Sequence, residues 1–404
     1  MNEVPKLDFE YITTYSRTPE IATMRRNILV TGATGKQGLA LIKALLHPSP
    51  PNPNLQQITP ENPRSGPEIQ ADLEEHTYHI YALTRNPSSP AAQHLAETED
   101  HVTVVQGNLD IPDSIRKIFD NAKNESDDQA RGIWGVFAVL AFPGLGAEAD
   151  GEERQGKLLA DLALEFGVEC FVYSSAMRSG PGYEHELKLS GLAKRNVERY
   201  CGELGGRGLG WTILRPGFFM ENFGGFIGCI TAAVLKAGLN PDTENAYIVR
   251  PLLKYDDTYN TPSSAADFEK ASEDIGNIAA AVFRDHEKYR FQTLAVVAEY
   301  KTMTQMDEAH QRTRGKPMPA IPWAFAWLLL KANKATQELI QAIERSHHAR
   351  TSGEYPSCEA ELELAKSAYK MKSYEEWLSQ ESDVKQNEEG WNQVSIWKLI
   401  MGKL

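Results

Sequence analysis

Gly32, Gly35 and Gly38 stand in the run Thr31-Gly32-Ala33-Thr34-Gly35-Lys36-Gln37-Gly38, directly after the apolar residues Ile28, Leu29 and Val30. A short strand, a glycine turn and the helix-forming stretch Leu39 to Leu46 follow one another, and that order is suited to phosphate. A glycine at 32 lets the chain turn tightly, one at 35 lets backbone approach a phosphate, and one at 38 lets helix and strand pack closely. Amide groups and the positive dipole end at the helix start then attract a pyrophosphate. The spacing is G-x-x-G-x-x-G rather than G-x-G-x-x-G, and a glycine triplet alone is weak. The strand–turn–helix context is what makes it a dinucleotide site.

Arg85 closes the segment Tyr81-Ala82-Leu83-Thr84-Arg85-Asn86-Pro87 at the end of the second strand. In a doubly wound sheet that position meets the adenosine ribose, where an acid takes a free 2′-hydroxyl and an arginine a 2′-phosphate. The strand end offers no acid, so a guanidinium with two parallel donors favours NADP over NAD. The plain alternative is a solvent-facing arginine. Gly107-Asn108-Leu109-Asp110 follows the third strand and has two readings. Either Asp110 caps a helix begun at Pro112, or Asn108 and Leu109 lie beside the adenine.

These residues need a scaffold, and the first half of the chain supplies one. Apolar strands alternate with helical segments, the signature of a parallel α/β sheet. Strands are expected near Asn27–Val30, Tyr78–Leu83, Val102–Val105, Val136–Ala141, Cys170–Ser174 and Thr212–Leu214. Helices are expected near Lys36–Leu46, Asp113–Asn121, Glu153–Phe166 and His185–Leu204. The fourth strand is almost continuously apolar, as a strand covered on both faces should be. The Pro-rich, polar stretch 48–77 interrupts the rhythm as a flexible surface insertion. A second polar excursion, Tyr255 to Ala266, precedes Ser272, which can cap a following helix. Trp377, in Tyr374-Glu375-Glu376-Trp377-Leu378, reads as a packing anchor.

With 404 residues and 41% apolar content the chain can bury a full core. Its net charge of −13 argues against general affinity for nucleic acid or anionic membrane. Cys170, Cys201, Cys229 and Cys358 have no metal-ligand spacing and read as small hydrophobes. Residues 1–24 resemble neither a secretory signal nor a transit peptide. The greasy stretch Ile321 to Leu330 holds a proline, is too short to span a bilayer, and reads as a buried or interfacial helix. A cytoplasmic protein is expected, with the nucleus also compatible.

Taken together, these segments resemble NmrA-like proteins, a branch of the atypical short-chain dehydrogenase/reductase superfamily. Besides the glycine turn and Thr84-Arg85-Asn86-Pro87, the resemblance rests on Gln155-Gly156-Lys157, Phe171-Val172-Tyr173-Ser174-Ser175 and Lys194-Arg195-Asn196-Val197-Glu198-Arg199-Tyr200. Leu214-Arg215-Pro216-Gly217-Phe218-Phe219-Met220-Glu221-Asn222-Phe223 is its most specific segment, and Tyr374 to Leu378 resembles a family ending. It runs from about residue 25 to 380, without 48–77 and part of 250–270. The resemblance implies that Gly32, Ala33, Thr34, Gly35, Lys36 and Gln37 hold the pyrophosphate of NADP(H), and that Arg85, Asn86 and Pro87 take its 2′-phosphate. Asn108 and Leu109 would approach the adenine, and Leu140, Ala141 and Phe142 would line the exit of the fourth strand. Lys157 and Lys194 would reach phosphate or ribose, and Pro216, Gly217, Phe218 and Phe219 would lie along the nicotinamide half.

Typical members of that superfamily use Tyr-x-x-x-Lys, one helical turn apart on one face. The lysine holds the ribose and lowers the tyrosine's pKa, so the phenol moves a proton near neutrality. Here Ser190 stands four residues before Lys194. Serine is a poor proton donor, so Lys194 becomes the principal acid or ribose holder, with Ser174 or Ser175 orienting a carbonyl. Tyr183 and His185 are alternative acids. The family includes both redox-sensing regulators and oxidoreductases. The expected architecture is a Rossmann-type doubly wound parallel sheet spanning 25–380 with a smaller, discontinuous C-terminal substrate lobe. Residues 1–24 form an extension and 381–404 a tail. Phe142, Phe218, Phe219 and Phe223 could line a crevice for a small hydrophobic carbonyl, enone or imine. The competing reading is a non-catalytic NADP(H) sensor that acts through a regulatory protein partner.

Overall fold

The computed structural model describes residues 25–48, 77–124, 132–141, 143, 147–248, 255–256, 261–262 and 274–380. The extension 1–24, nearly all of the 48–77 excursion, Phe142, Ser272 and the tail 381–404 lie outside the described residues.

Seven parallel strands form the centre: β1 (Arg25–Val30), β2 (Thr77–Thr84), β3 (Val102–Gln106), β4 (Gly135–Ala138), β5 (Cys170–Ser174), β6 (Trp211–Pro216) and β7 (Gln292–Val296). Their order is β3-β2-β1-β4-β5-β6-β7, with Ile28 opposite both Ile80 and Gly135. This is the expected Rossmann-type arrangement, and its order reverses between β1 and β4, where open α/β sheets bind ligands. Every residue of β4 and β5 is buried, because helices cover both faces. On one face lie α1 (Lys36–Leu46) and, later in the chain, α7 (Asp274–Arg284). On the other lie α3 (Pro112–Asn124), α4 (Asp150–Glu165) and α5 (Leu189–Gly205).

The short α2 (Pro90–Thr98) was not foreseen, nor was β7. Ser89 caps α2 through the Ala92 N–H, and Pro90 occupies its first position. The fourth strand ends at Ala138 rather than Ala141. Thr31 Oγ1 donates to Val139 O at 2.8 Å and accepts from Val139 N–H at 2.7 Å, which draws the backbone out of the ladder. The helix expected from His185 begins at Leu189, after a 3₁₀ turn at Pro181–Glu186, and Leu189 carries a φ of 47°.

A second lobe gathers a small sheet, Phe218–Phe219, Asn245–Ile248 and Glu299–Lys301, with α6 (Gly225–Gly238) and α8 (Met303–Arg314). It continues through α9 (Trp323–Ala332), α10 (Lys334–Thr351), α11 (Cys358–Ala368) and α12 (Tyr374–Gln380). Met220, Phe223, Tyr247, Met306 and Trp377 form its core. Trp377 is buried and stacks on Tyr374 at 5.6 Å, the packing role expected of it. Helix α9, read as buried or interfacial, buries Ala326 and exposes four large apolar side chains. Among the described residues no helix is long and apolar enough to cross a membrane, and no cluster could hold a metal ion.

Candidate functional site

The glycine turn lies at the carboxyl end of β1, beside the switch point. Gly32 has a φ of 60°, a conformation that disfavours any side chain. Gly35 N–H donates to Gly32 O at 2.9 Å, and Gly35 then stands as the N-cap of α1 with no side-chain cap. A Cβ on Gly38 would lie 2.4 Å from Gly32 O, so only glycine lets the helix start sit so close to the turn. Gly32 and Gly35 themselves are exposed. The result is an open concavity of backbone at a helix start, a fit for a pyrophosphate. Ala33 is buried beneath it, and Thr34, Lys36 and Gln37 are half-buried at its rim. Gln37 Oε1 accepts from Ser174 Oγ at 2.7 Å, which ties the end of β5 to the first turn of α1.

Arg85 and Asn86 are exposed at the end of β2, with Pro87 half-buried behind them. Asn86 Oδ1 accepts the Ser88 N–H at 3.1 Å and shapes the turn. Among the described residues, no carboxylate pairs with the Arg85 guanidinium. Asn108 and Leu109 are half-buried at the end of β3. Asn108 Oδ1 accepts the Asp110 N–H at 3.0 Å. The cap expected of Asp110 is not formed: its carboxylate accepts from Gln155 Nε2 at 2.9 Å and links to α4 instead.

Helices α4 and α5 approach closely because position 156 has no side chain; a Cβ there would lie 2.6 Å from Val197 Cγ2. That proximity assembles a carboxylate cluster that the sequence reading missed. Glu152, almost fully buried with its side chain 1% exposed, accepts from Lys194 Nζ at 2.5 Å and from Ser190 Oγ at 2.6 Å. The adjacent Glu153 accepts from Lys157 Nζ at 2.6 Å and from Asn196 Nδ2 at 2.7 Å. Burial opposes the Glu153 charge, but these hydrogen bonds win and hold its carboxyl below the usual range. Lys157 also lies 5.5 Å from the Tyr200 ring.

Ser175 is buried, and its hydroxyl donates to Glu198. Glu198 is shared: Arg178 donates to it, and Arg215 Nη2 donates to its Oε2 at 2.7 Å. Arg215 Nη1 continues to Tyr355 Oη at 2.5 Å and to Glu361 Oε2 at 3.0 Å, joining β6 to the C-terminal lobe. Burial works against the Arg215 charge, yet Glu198 outweighs it, aided by Tyr355 and Glu361, and holds the guanidinium above the ordinary arginine range. Burial, with the Arg215 charge adding to it, pushes Arg178 down against the pull of Glu198. Ser175, Glu198 and Arg215 stand in three separate segments of the resemblance, while Arg178, Tyr355 and Glu361 come from outside them.

Pro216 is buried at the end of β6, and a Cβ on Gly217 would lie 2.7 Å from Ala246 O. Phe218 and Phe219 are half-buried; Phe218 packs with Phe223 at 5.7 Å and Tyr247 at 6.2 Å. Leu140 is buried and Ala141 exposed beyond β4. Tyr183 Oη lies 3.1 Å from His348 Nδ1, and His185 faces solvent, so neither bonds to Lys194 or Ser190. Burial and Glu354 raise the Tyr183 pKa. Asp274, first residue of α7, is fully buried; burial, with Glu221 adding to it, pushes its carboxyl up to about 7.

The chain is similar to known proteins in sequence and in fold. The chain matches the NmrA-like family over residues 64–378, a span that begins after the glycine turn. It is 24% identical over 321 residues to an NmrA-like family domain-containing oxidoreductase of Penicillium ochrochloron, covering 76% of this chain and 79% of that one. A protein of the same description from Malbranchea aurantiaca is 23% identical over 305 residues, 73% of this chain and 74% of that one. Among solved structures, NmrA, a negative transcriptional regulator, in complex with NAD superposes with a TM-score of 0.53 at 17% identity, over 89% of this chain and 95% of that one. The NADPH-dependent quinone oxidoreductase of Escherichia coli, complexed with NADPH, gives 0.52 at 17%, over 87% and 98%.

Proposed function

Because the chain belongs to the NmrA-like family, we propose that it is an NADP(H)-binding oxidoreductase that reduces a hydrophobic organic carbonyl, enone or imine in a biosynthetic pathway. The observation that carries this reading is the pairing of an open glycine concavity at α1 with an exposed Arg85 that no carboxylate engages among the described residues. Relatives described as oxidoreductases and a neighbour complexed with NADPH support it.

NADPH, when bound, supplies a hydride; binding, orientation and the proton fall to the chain. Backbone of Gly32 to Gln37 holds the pyrophosphate, while Arg85, with Asn86 and Pro87, takes the 2′-phosphate through charge-assisted hydrogen bonds. Asn108 and Leu109 flank the adenine, and Lys157 turns from Glu153 toward a phosphate. Leu140 and Ala141 line the strand exit, and Pro216 to Phe219 lie along the nicotinamide half. Lys194, held by Glu152, faces the ribose and acts as the proton donor or holder. Ser174 orients the substrate carbonyl by leaving Gln37, to which its hydroxyl donates, and Ser175 does so only by leaving Glu198. A cytoplasmic place, without nucleic-acid or membrane partners, fits the charge of −13.

One observation favours a second reading, a non-catalytic NADP(H) sensor acting through a protein partner. Ser190 holds the position of the usual tyrosine, and its hydroxyl is spent on Glu152. Titration of the purified protein with NADPH and NADH, followed by an NADPH-oxidation screen over hydrophobic carbonyls, enones and imines, separates the two. Turnover that Lys194→Ala abolishes establishes the enzyme. Tight binding that survives Lys194→Ala, with no turnover on any substrate, establishes the sensor.

A further inference from the structure

Gln37 stands in the first turn of α1 and Ser174 closes β5, and their side chains meet at 2.7 Å. The contact bridges a step in the sheet. Ala138, the last residue of β4, pairs with Tyr173, so Ser174 reaches past the end of β4. Thr31 draws the chain beyond Ala138 out of the ladder, and Gln37 spans the step from the β1 side to β5. Strand order puts this pair on the opposite side of the switch point from Arg85, which follows β2. A dinucleotide with its 2′-phosphate at Arg85 and its pyrophosphate at the start of α1 carries its second nucleoside over the end of β4, toward Ser174.

The pair presents two complementary atoms. Ser174 has given its proton to Gln37 Oε1, so its own Oγ offers lone pairs. Gln37 is half-buried, and among the described residues its Nε2 bonds to no acceptor, so the amide held by Ser174 offers N–H donors. Other candidates are engaged: the Ser175 hydroxyl donates to Glu198, and Lys194 and Ser190 both donate to Glu152. A donor fixed beside an acceptor matches a primary carboxamide, which has an accepting oxygen beside a donating amine. The nicotinamide ring carries that group.

We propose that Gln37 and Ser174 read the carboxamide of the nicotinamide ring, with Gln37 Nε2 donating to its oxygen and Ser174 Oγ accepting from its amine. The assignment rests on the cofactor reading above and gives the Gln37 side chain a role apart from that of its backbone. Ser174 keeps a lone pair for the amine even when its proton turns to a substrate carbonyl, so its two roles are compatible.

Calorimetric titration of the full chain tests it with three probes. They are NADP, its 3-acetylpyridine analogue, in which a methyl group replaces the amine, and 2′-phospho-ADP-ribose, which lacks the nicotinamide. The parent should favour NADP over the analogue by about tenfold, the worth of one hydrogen bond. Ser174→Ala should bring those two within about threefold of each other, and Gln37→Met, which keeps the side-chain length, should weaken both by about tenfold. Affinity for 2′-phospho-ADP-ribose should change less than about threefold in either variant. Melting temperature monitors the fold of each, and the parent's own preference is read without any variant. Equal losses of NADP and 2′-phospho-ADP-ribose in Gln37→Met overturn the proposal in favour of a pyrophosphate role alone. A parent that binds NADP and the analogue equally overturns it outright. A parent that binds none of the three overturns the cofactor reading itself.

Discussion

Lys194 and Glu152 meet at 2.5 Å across the α4–α5 interface, and Ser190 takes the carboxylate's other oxygen. The lysine thus has a fixed anionic partner where a tyrosine would otherwise accompany it. Lys194→Met would leave Glu152 a buried charge with one neutral hydrogen bond. It should cost about 3 kcal/mol in urea unfolding. Adding Glu152→Gln should return most of that loss, and simple additivity of the two changes would contradict the coupling.

Arg85→Ala should weaken NADPH by roughly 10- to 100-fold, the worth of hydrogen bonds to a charged group. NADH, which lacks the 2′-phosphate, should change less than threefold. Calorimetric titration with both nucleotides decides; equal losses would remove the preference for the phosphorylated cofactor.

Gly38→Ala sets a methyl carbon 2.4 Å from the Gly32 carbonyl oxygen, and backbone cannot yield as a flexible side chain would. A loss of about 1–3 kcal/mol is expected, together with weakened NADPH binding at temperatures where the variant remains folded. Thermal melts and titration of the same sample check both. A Gly202→Ala control within α5, where a Cβ meets nothing within 4 Å, should leave NADPH binding unchanged and gain up to about 1 kcal/mol of stability from helix propensity.

Asp274 sets a pH dependence of stability. Its carboxyl titrates near about 7 in the folded chain and at about 3.9 when unfolded. The folded state therefore holds the proton more tightly. Its contribution is complete below about pH 4 and is lost as pH rises through about 7, on the order of 4 kcal/mol in all. Asp274→Asn should flatten the fall between those limits. Urea melts at several pH values for both proteins measure it, and parallel profiles would refute it.

The sheet was legible because its signals are local. Val136, Phe137 and Ala138 form an apolar run, and Gly32, Gly35 and Gly38 sit at fixed offsets after a strand. Helix α2 was not: Pro90-Ala91-Ala92-Gln93-His94-Leu95-Ala96-Glu97-Thr98 buries only Ala92 and Leu95, too few for a period. Strand β7 is five residues whose partner, β6, lies far back in sequence. Glu152 lies just before the helix expected from Glu153, beside Asp150 and Glu153, and its importance depends on how α4 meets α5. The Arg215–Tyr355–Glu361 contacts join residues about 140 positions apart, so no window of sequence contains them.

Gly156 decides more than its own position. Since a single absent methyl group sets how near α4 stands to α5, the reach of Glu152 to Lys194 and of Glu153 to Asn196 follows from steric permission rather than from attraction between charges. Any larger residue there would part the two helices and uncouple both pairs at once, although it touches neither.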